Sequence, residues 1–352
     1  MNTINRSLTF IDLFSGCGGL SLGFEQAGFN SLLAIDNWND ALSTYSFNRK
    51  GAQTLCADLS AIDPLKIKRD YAINTIDAII GGPPCQGFSI AGKRIIDDDR
   101  NKLYKSFVKF VEIFKPKTFV MENVPNILNI GGGLIKDAIL CDFEKIGYTV
   151  NYKVLIASDY GVPQNRRRAI FVGVHNNKYF DFPKTFDGCK ITAKEALSDL
   201  PENSVPNATF YPSNPESLFQ RKMRKNSSGI FNHETTNHSE RTKHIISLVP
   251  DGGNYKDLPK DLQGIRNVHI AWTRLSSQKP SFTIDTGHRH HFHYLYNRIP
   301  TVRECARLQS FPDNFIFQGS KTSQYKQVGN AVPPLLSQSI ACSIRKFLEH
   351  EI

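Results

Sequence analysis

The sequence has seven cysteines, at 17, 56, 85, 141, 189, 305 and 342, and no two of them form a C-x-x-C pair or a regular framework. That scatter argues against a disulfide scaffold and against a zinc site, so reduced thiols and a cytoplasmic setting are expected. No window approaches the ~20 apolar residues of a membrane span, and the first ten residues contain no apolar stretch of signal-peptide length. Neither membrane insertion nor export is expected. There is no internal repeat and no long low-complexity segment. What is present is ordinary for a globular chain: 352 residues, 40% of them hydrophobic, enough for a substantial core and for two domains. Lys and Arg number 43 against 33 Asp and Glu, a formal charge of +10. An excess of this sign favours a polyanionic partner through phosphate contacts and counterion release, but a specific site must identify it.

From 9 to about 174 short β-branched runs alternate with amphipathic stretches, the pattern of βα units around a parallel sheet. Strands are expected at 9–13, 31–35, 77–80, 118–121 and 169–174, and helices at 20–27, 40–48 and 103–114, with Gly28 ending the first helix. The fold class is α/β. Beyond 175 the regularity fails, and scattered Pro, Gly, Asn, Ser and His point to a second, smaller domain. Helical spacing returns at 301–308 and 335–348. The expected division is 1–175 plus 323–352 for the larger domain and 176–322, with a hinge, for the smaller.

In an open α/β sheet the ligand site lies beyond the carboxyl ends of the strands. The residues there are distinctive. The first strand runs into the glycine-rich turn Phe14-Ser15-Gly16-Cys17-Gly18-Gly19, and the second into Asp36, twenty residues beyond Gly16 and suited to ribose hydroxyls. Asp58 is a third candidate, and Asn37 or Leu59 could lie beside an adenine. Ser21 stands where G-x-G-x-x-G would need its last glycine, which disfavours a dinucleotide and a dehydrogenase. The glycines could instead close a turn and the acids cap helices, but three strand ends in order weigh against that reading. After 77–80 comes Gly81-Gly82-Pro83-Pro84-Cys85-Gln86-Gly87-Phe88-Ser89, which can continue neither strand nor helix. It presents a single thiol, Cys85, on a rigid turn.

These segments resemble the DNA cytosine-5 methyltransferases of bacterial restriction-modification type, in the family's motif order and along most of the chain. Asp12 to Gly19 is similar to the first cofactor motif, Pro83-Pro84-Cys85-Gln86 to the nucleophile motif, Glu122-Asn123-Val124 to the acidic motif and Gln164-Asn165-Arg166-Arg167-Arg168 to the basic motif. Arg303 to Leu308 and Gln327 to Val332 are similar to the last two. The resemblance implies a Rossmann-like methyltransferase sheet with a target-recognition domain. It also implies S-adenosylmethionine as cofactor, held by Phe14, Gly16, Gly18, Asp36, Asn37, Asp58, Leu59, Pro84, Asn330 and Ala331. Asp36 departs from the family's more frequent Glu and is one methylene shorter.

The chemistry explains the residue types. Carbon 5 of cytosine is a poor nucleophile until a thiolate adds at carbon 6, the role implied for Cys85. The charge that addition places on the ring needs an acid near nitrogen 3 and a cation near oxygen 2, the roles implied for Glu122 and Arg168, with Arg166 positioning Cys85 or the substrate. A stacked cytosine is out of reach, so base flipping from double-stranded DNA is implied. Gln86, Ser89 and Arg100 belong to an expected mobile lid over the phosphates. In the segment 176–297, Arg221, Lys222, Arg224 and Lys225 form the densest basic run, expected on the DNA backbone, and Thr273, Arg274 and Arg289 are expected to read bases. Eight of the ten histidines lie between His233 and His293 and are expected to make polar DNA contacts rather than bind a metal. An RNA substrate, as in one branch of the family, and an inactive DNA-binding protein are the alternatives. The Gly87-Phe88-Ser89 continuation and the long recognition segment favour DNA, and the presence of Cys85, Glu122 and Arg168 favours an enzyme. A monomer and a functional link to a cognate restriction endonuclease complete the expectation.

Overall fold

The computed structural model describes residues 7–84, 102–175, 178–263, 272–287 and 291–349. Short β-branched runs become a seven-stranded sheet made of β1 (Leu8–Leu13), β2 (Phe29–Asp36), β3 (Thr54–Cys56), β4 (Ala78–Gly81), β5 (Thr118–Asn123), β6 (Tyr148–Ile156) and β7 (Arg167–His175), in the order β3-β2-β1-β4-β5-β7-β6. The pairs among β1 to β5 are parallel, whereas β7 lies antiparallel between β5 and β6. The sheet is therefore mixed rather than purely parallel. The cause is connection length: only residues 157–166 separate β6 from β7, short of the dozen or so that a parallel crossover needs. Each of the five expected strands has its counterpart. β3 and β6 lie outside them, the first because none of its three residues is buried, the second because its burial follows no simple alternation.

The helices between the strands are α1 (Gly19–Gln26), α2 (Asn39–Phe47), α3 (Pro64–Asp70), α4 (Lys102–Phe114) and α5 (Leu134–Lys145). In α4 the buried residues Tyr104, Phe107, Phe110, Val111 and Phe114 recur at three- and four-residue spacing, so one face carries the whole apolar load. They enter one core with Phe119 and Phe143, whose rings stack at 4.0 Å.

The chain divides into two compact units. The first holds the sheet and its helices, together with most of α12 (Pro334–Glu349), where Ser337 Oγ donates to the Leu20 carbonyl at 2.6 Å. The second comprises Ala157–Arg166 and Phe186–Leu335. Residues 157–166 and 323–335 thus join it, and 176–185 stay with the first. Its elements are α6 (Ala193–Leu197), α7 (Leu218–Arg224), α8 (Glu240–Ser247), α9 (Lys260–Gln263), β8 (Thr273–Arg274), β9 (His291–Phe292), α10 (Val302–Leu308) and α11 (Lys321–Asn330). Every residue of α10 is buried, including Arg303, Glu304 and Arg307. Charges so placed need partners. Arg307 bonds Asp313 through Nε and Nη2 and Asp199 through Nη1 at 3.0 Å, Arg298 forks onto Glu304 at 2.8 Å twice, and Arg303 donates to the carbonyls of Phe231, Pro312 and Phe315. Among the described residues no helix is long and apolar enough to cross a membrane.

Candidate active site

Register aligns the carboxyl ends of four adjacent strands: Ile35 pairs with Leu13, Leu13 with Gly81 and Gly81 with Met121. The residues one step further on, Asp36, Phe14, Gly82 and Glu122, therefore form a row along one sheet edge. This is the edge at which an α/β sheet offers its ligand crevice.

At the β1 end the chain turns sharply, with Phe14, Gly16 and Gly18 all at positive φ (58°, 52° and 85°). Gly16 N–H donates to Asp36 Oδ2 at 2.8 Å, and Trp38 N–H to Asp36 Oδ1 at 2.9 Å, so the acid at the end of β2 orders the glycine turn. Burial raises the Asp36 carboxyl above its usual value, opposed by the N–H groups of Gly16, Trp38 and Asn37. The space around Gly16 is open, since a Cβ there would meet nothing within 4 Å. An open turn with a fixed carboxylate beside it fits a nucleoside cofactor lacking a pyrophosphate. Asn37 and Asp58 are exposed and Leu59 is buried. Asp58 Oδ1 accepts from Ser60 N–H and Oγ, both at 2.8 Å, which lowers its carboxyl. Cys17, within the turn, is only 2% exposed, and burial pushes its thiol up to about 12. It is no nucleophile.

At the β4 and β5 ends, Glu122 Oε1 lies 2.5 Å from Arg168 Nε, with the two side chains 12% and 13% exposed. The pair forms because β7 runs antiparallel beside β5, opposing Asn123 to Ala169 and leaving Arg168 next along the strand. A Cβ on Gly82 would fall 2.9 Å from Glu122 Oε2, so a side chain at 82 would crowd the carboxylate. Asn123 Nδ2 donates to the Pro83 carbonyl at 2.9 Å and its Oδ1 accepts from Val124 N–H. The strand that carries the acid thus also ties down the Pro83-Pro84 turn, with Pro84 exposed. Asn123, in the acidic motif, has a part that its residue type does not reveal, because an amide beside an acid carries no signal until its partner is known. Cys85, Gln86, Ser89 and Arg100 lie outside the described residues, as does Arg289.

In the second unit Arg166 is 1% exposed and donates to the carbonyls of Ile284 at 3.1 Å and Gly329 at 2.9 Å. Neighbouring Gln164 donates to the Leu308 carbonyl and to Gln309 Oε1, and accepts from Ile284 N–H. Within the second unit, Gln164 and Arg166 of the basic motif are therefore hydrogen-bonded to the last two motifs. Asn330 ends α11 and is exposed, followed by Ala331 at its C-cap.

Arg221 and Lys222 are exposed on α7, whereas Arg224 lies over the Tyr211 ring at 3.7 Å and bonds the Ser213 carbonyl. Arg274 corrects its expected role as a base reader. It is 5% exposed, and its five N–H groups meet the carbonyls of Val249, His293, Tyr296 and Ile246 and Asn297 Oδ1. No donor remains for a base edge, and the residue holds together the chain segments around it. His293 and His233 are likewise internal. His293 Nδ1 accepts from the N–H groups of Leu295 and Tyr296, while His233 bonds the Pro201 carbonyl and Thr301 Oγ1. Among the described residues no group of His, Cys, Asp and Glu is placed to hold a metal ion.

The sequence model of the C-5 cytosine-specific DNA methylases matches residues 8–346. A type II methyltransferase of Haemophilus parahaemolyticus, M1.HphI, is 41% identical over 98% of this chain and 88% of its own length. M.DdeI of Desulfomicrobium norvegicum is 38% identical over 97% of this chain and 90% of its own. Among solved structures, a prophage-encoded protein of E. coli assigned as a DNA modification methyltransferase superposes with a TM-score of 0.82 at 29% identity, covering 97% of this chain and all of that one. With the motif residues standing along one sheet edge and a family match over nearly its whole length, the chain belongs to the C-5 cytosine-specific DNA methylases, as a DNA cytosine-5 methyltransferase.

Proposed function

We propose that the protein methylates carbon 5 of a flipped-out cytosine within a specific double-stranded DNA sequence, through a covalent Cys85 adduct, and so protects DNA from a cognate restriction endonuclease. The observation that carries this reading is the Glu122–Arg168 pair set against Gly82 and Pro83, the segment that leads directly into Cys85. An acid and a fixed cation share one edge with Gly82 and Pro83, which precede the thiol in the sequence.

The roles follow from the atoms available. The Cys85 thiolate adds to carbon 6, and the electron pair moves toward carbon 5. Glu122 holds a proton at ring nitrogen 3, and Arg168, anchored to Glu122 through Nε, directs its guanidinium toward oxygen 2. Bound S-adenosylmethionine supplies the electrophilic methyl group. Loss of the carbon 5 proton to a base then expels the thiolate and restores the ring. Phe14, Gly16, Gly18, Asp36, Asn37, Asp58, Leu59 and Pro84 would hold the cofactor, the Asp36 carboxylate facing ribose hydroxyls. The second unit would recognise the target sequence, with Arg221 and Lys222 on phosphates. The double relation to type II methyltransferases supports the restriction-modification setting.

Bisulfite sequencing of an unmethylated plasmid after incubation with S-adenosylmethionine tests the reading. Wild type is expected to convert one cytosine of a recurring sequence to 5-methylcytosine, Cys85→Ala none, and Glu122→Gln on the order of 10²- to 10⁴-fold less per unit time. Equal methylation by wild type and Cys85→Ala would overturn the adduct.

A further inference from the structure

Behind the glycine turn lies a cluster whose central residues, Arg49, Tyr45 and Glu25, belong to none of the methylase motifs. Arg49, two residues beyond α2, extends its guanidinium back under the turn and is 8% exposed. Its Nε bonds both carboxylate oxygens of Glu25 at 2.7 and 2.8 Å, its Nη2 donates to the Gly18 carbonyl at 2.8 Å, and its plane lies 4.0 Å from the centre of the Tyr45 ring. Tyr45 is fully buried, and its hydroxyl bridges Ser21 Oγ on α1 and Ser31 Oγ on β2, each at 2.9 Å. Ser21 in turn donates to Asp12 Oδ2. The chain of bonds therefore links β1, α1, β2 and α2 around one residue, Gly18.

Gly18 needs this support. It stands at the N-cap of α1 in the left-handed region, with no side-chain cap on the helix, and its carbonyl also accepts the first helical bond, from Leu22 N–H. The two glycines of the turn face different surroundings. A Cβ on Gly18 would strike the Tyr45 ring at 2.6 Å and Arg49 at 2.7 Å, whereas one on Gly16 would meet nothing. One side of the turn is packed solid and the other is open.

We propose that Arg49 and Tyr45 are positioning residues for the cofactor: they grip Gly18 from the packed side and hold the turn in its bound shape, so that the open side at Gly16 receives S-adenosylmethionine without prior rearrangement. The inference rests on the cofactor reading above. Neither residue touches the cofactor. Arg49 shares its Nε–H between the two Glu25 oxygens while Nη2, on the far side of the same rigid plane, reaches the Gly18 carbonyl, a spread of donors that the single ammonium of Lys does not reproduce.

The test is equilibrium binding of S-adenosylmethionine to wild type, Arg49→Met, Arg49→Lys and Tyr45→Phe, well below their melting temperatures, combined with steady-state kinetics. Losing a charge-assisted bond that preorganises the turn is expected to weaken binding about tenfold in Arg49→Met and nearly as much in Arg49→Lys. Tyr45→Phe keeps the ring beneath the guanidinium and should lose less, about threefold. KM for the cofactor should rise in step, with kcat at saturating cofactor and KM for DNA unchanged, and amide hydrogen exchange should accelerate locally over residues 15–20. A merely structural role would lower the melting temperature and leave the dissociation constant alone. Wild-type binding with equal binding by Arg49→Met and Tyr45→Phe would overturn the proposal and spare the cofactor reading. No binding by wild type would overturn both.

Discussion

The two units solve the same problem, holding helix starts and buried charge, by different means. In the first, α1, α2 and α5 begin at Gly18, Trp38 and Gly133 without a side-chain cap, and of the helices whose start is described only α3 has one, from Asp63. In the second, α6, α7 and α10 each begin with a capping box, and Ser239 and Ser320 cap α8 and α11. The core of the first unit is a layered apolar sheet, whereas the second sets a smaller apolar cluster of Ile245, Ile246, Val249, Leu258, Trp272, Phe292 and Ile299 beside the buried ion pairs of α10. The difference follows from what each helix can lean on. A helix following a parallel strand gains its stability by laying an apolar face on the sheet. A helix of four to ten residues without a sheet is marginal unless its own end groups are satisfied.

The largest way to break that contrast is to remove the centre of the polar core. Arg307→Met leaves Asp199 and Asp313 buried with their principal cation gone, and is expected to cost about 3–5 kcal/mol in urea unfolding. Ile79→Val in the apolar sheet should cost only about 1 kcal/mol. Should the order reverse, the ion pairs around α10 are ornaments on a core held by something else.

Protons sharpen the comparison, because the units respond to pH in opposite senses. Burial raises the Asp12 carboxyl from 3.8 to about 7, with Oδ1 lacking a partner and Ser21 and Arg49 only partly offsetting the cost. A raised folded-state value means stability that is complete below pH 3.8 and is lost as pH rises through 7, about 4 kcal/mol if the whole shift is expressed. Asp12→Asn should remove that slope and so gain stability relative to wild type as pH rises toward 8. In the second unit burial lowers His293 to about 4, and His233 and His238 shift the same way. A depressed histidine contributes stability that is complete above pH 6.5 and is lost as pH falls toward 4, about 3 kcal/mol for His293. His293→Asn, whose Oδ1 can replace the Nδ1 acceptor, should flatten the acid limb. Unfolding free energies measured from pH 4 to 8 check both, and parallel curves for wild type and either variant would refute that variant's half of the argument.

The same contrast decides what could be read from the sequence. β1, β2, β4, β5 and β7 were legible because β-branched runs bury both faces, and α4 because its apolar residues share one face. Strand ends and motif order placed Glu122 and Arg168 at the sheet edge where the two are found paired. The antiparallel direction of β7 was hidden because β6 carries no clear strand signal, so the short connection 157–166 that dictates it could not be read. Arg274 and His293 misled for one reason: an arginine or histidine in a basic segment looks the same whether it faces DNA or the backbone carbonyls of its own loop. Arg49 carried no signal, since its partners Glu25 and Gly18 are 24 and 31 residues away. Side-chain to backbone bonds have no period, so a unit held by them is less readable than one held by apolar spacing.

The smallest effect tests the caps themselves. In α6 Thr192 Oγ1 accepts from Glu195 N–H at 3.1 Å, and the Glu195 carboxylate accepts from Thr192 N–H at 2.8 Å, with Thr192 half-buried and Glu195 exposed. Thr192→Ala is therefore expected to cost about 1 kcal/mol, and Asp63→Ala, the matching change in the sheet unit, about half as much, because α3 also starts with Pro64 at a favoured position. Matched urea titrations of the two variants read the difference. Equal losses would mean that a cap has the same worth on a helix that leans on a sheet as on one that does not, and the contrast between the units would then rest on their buried charges alone.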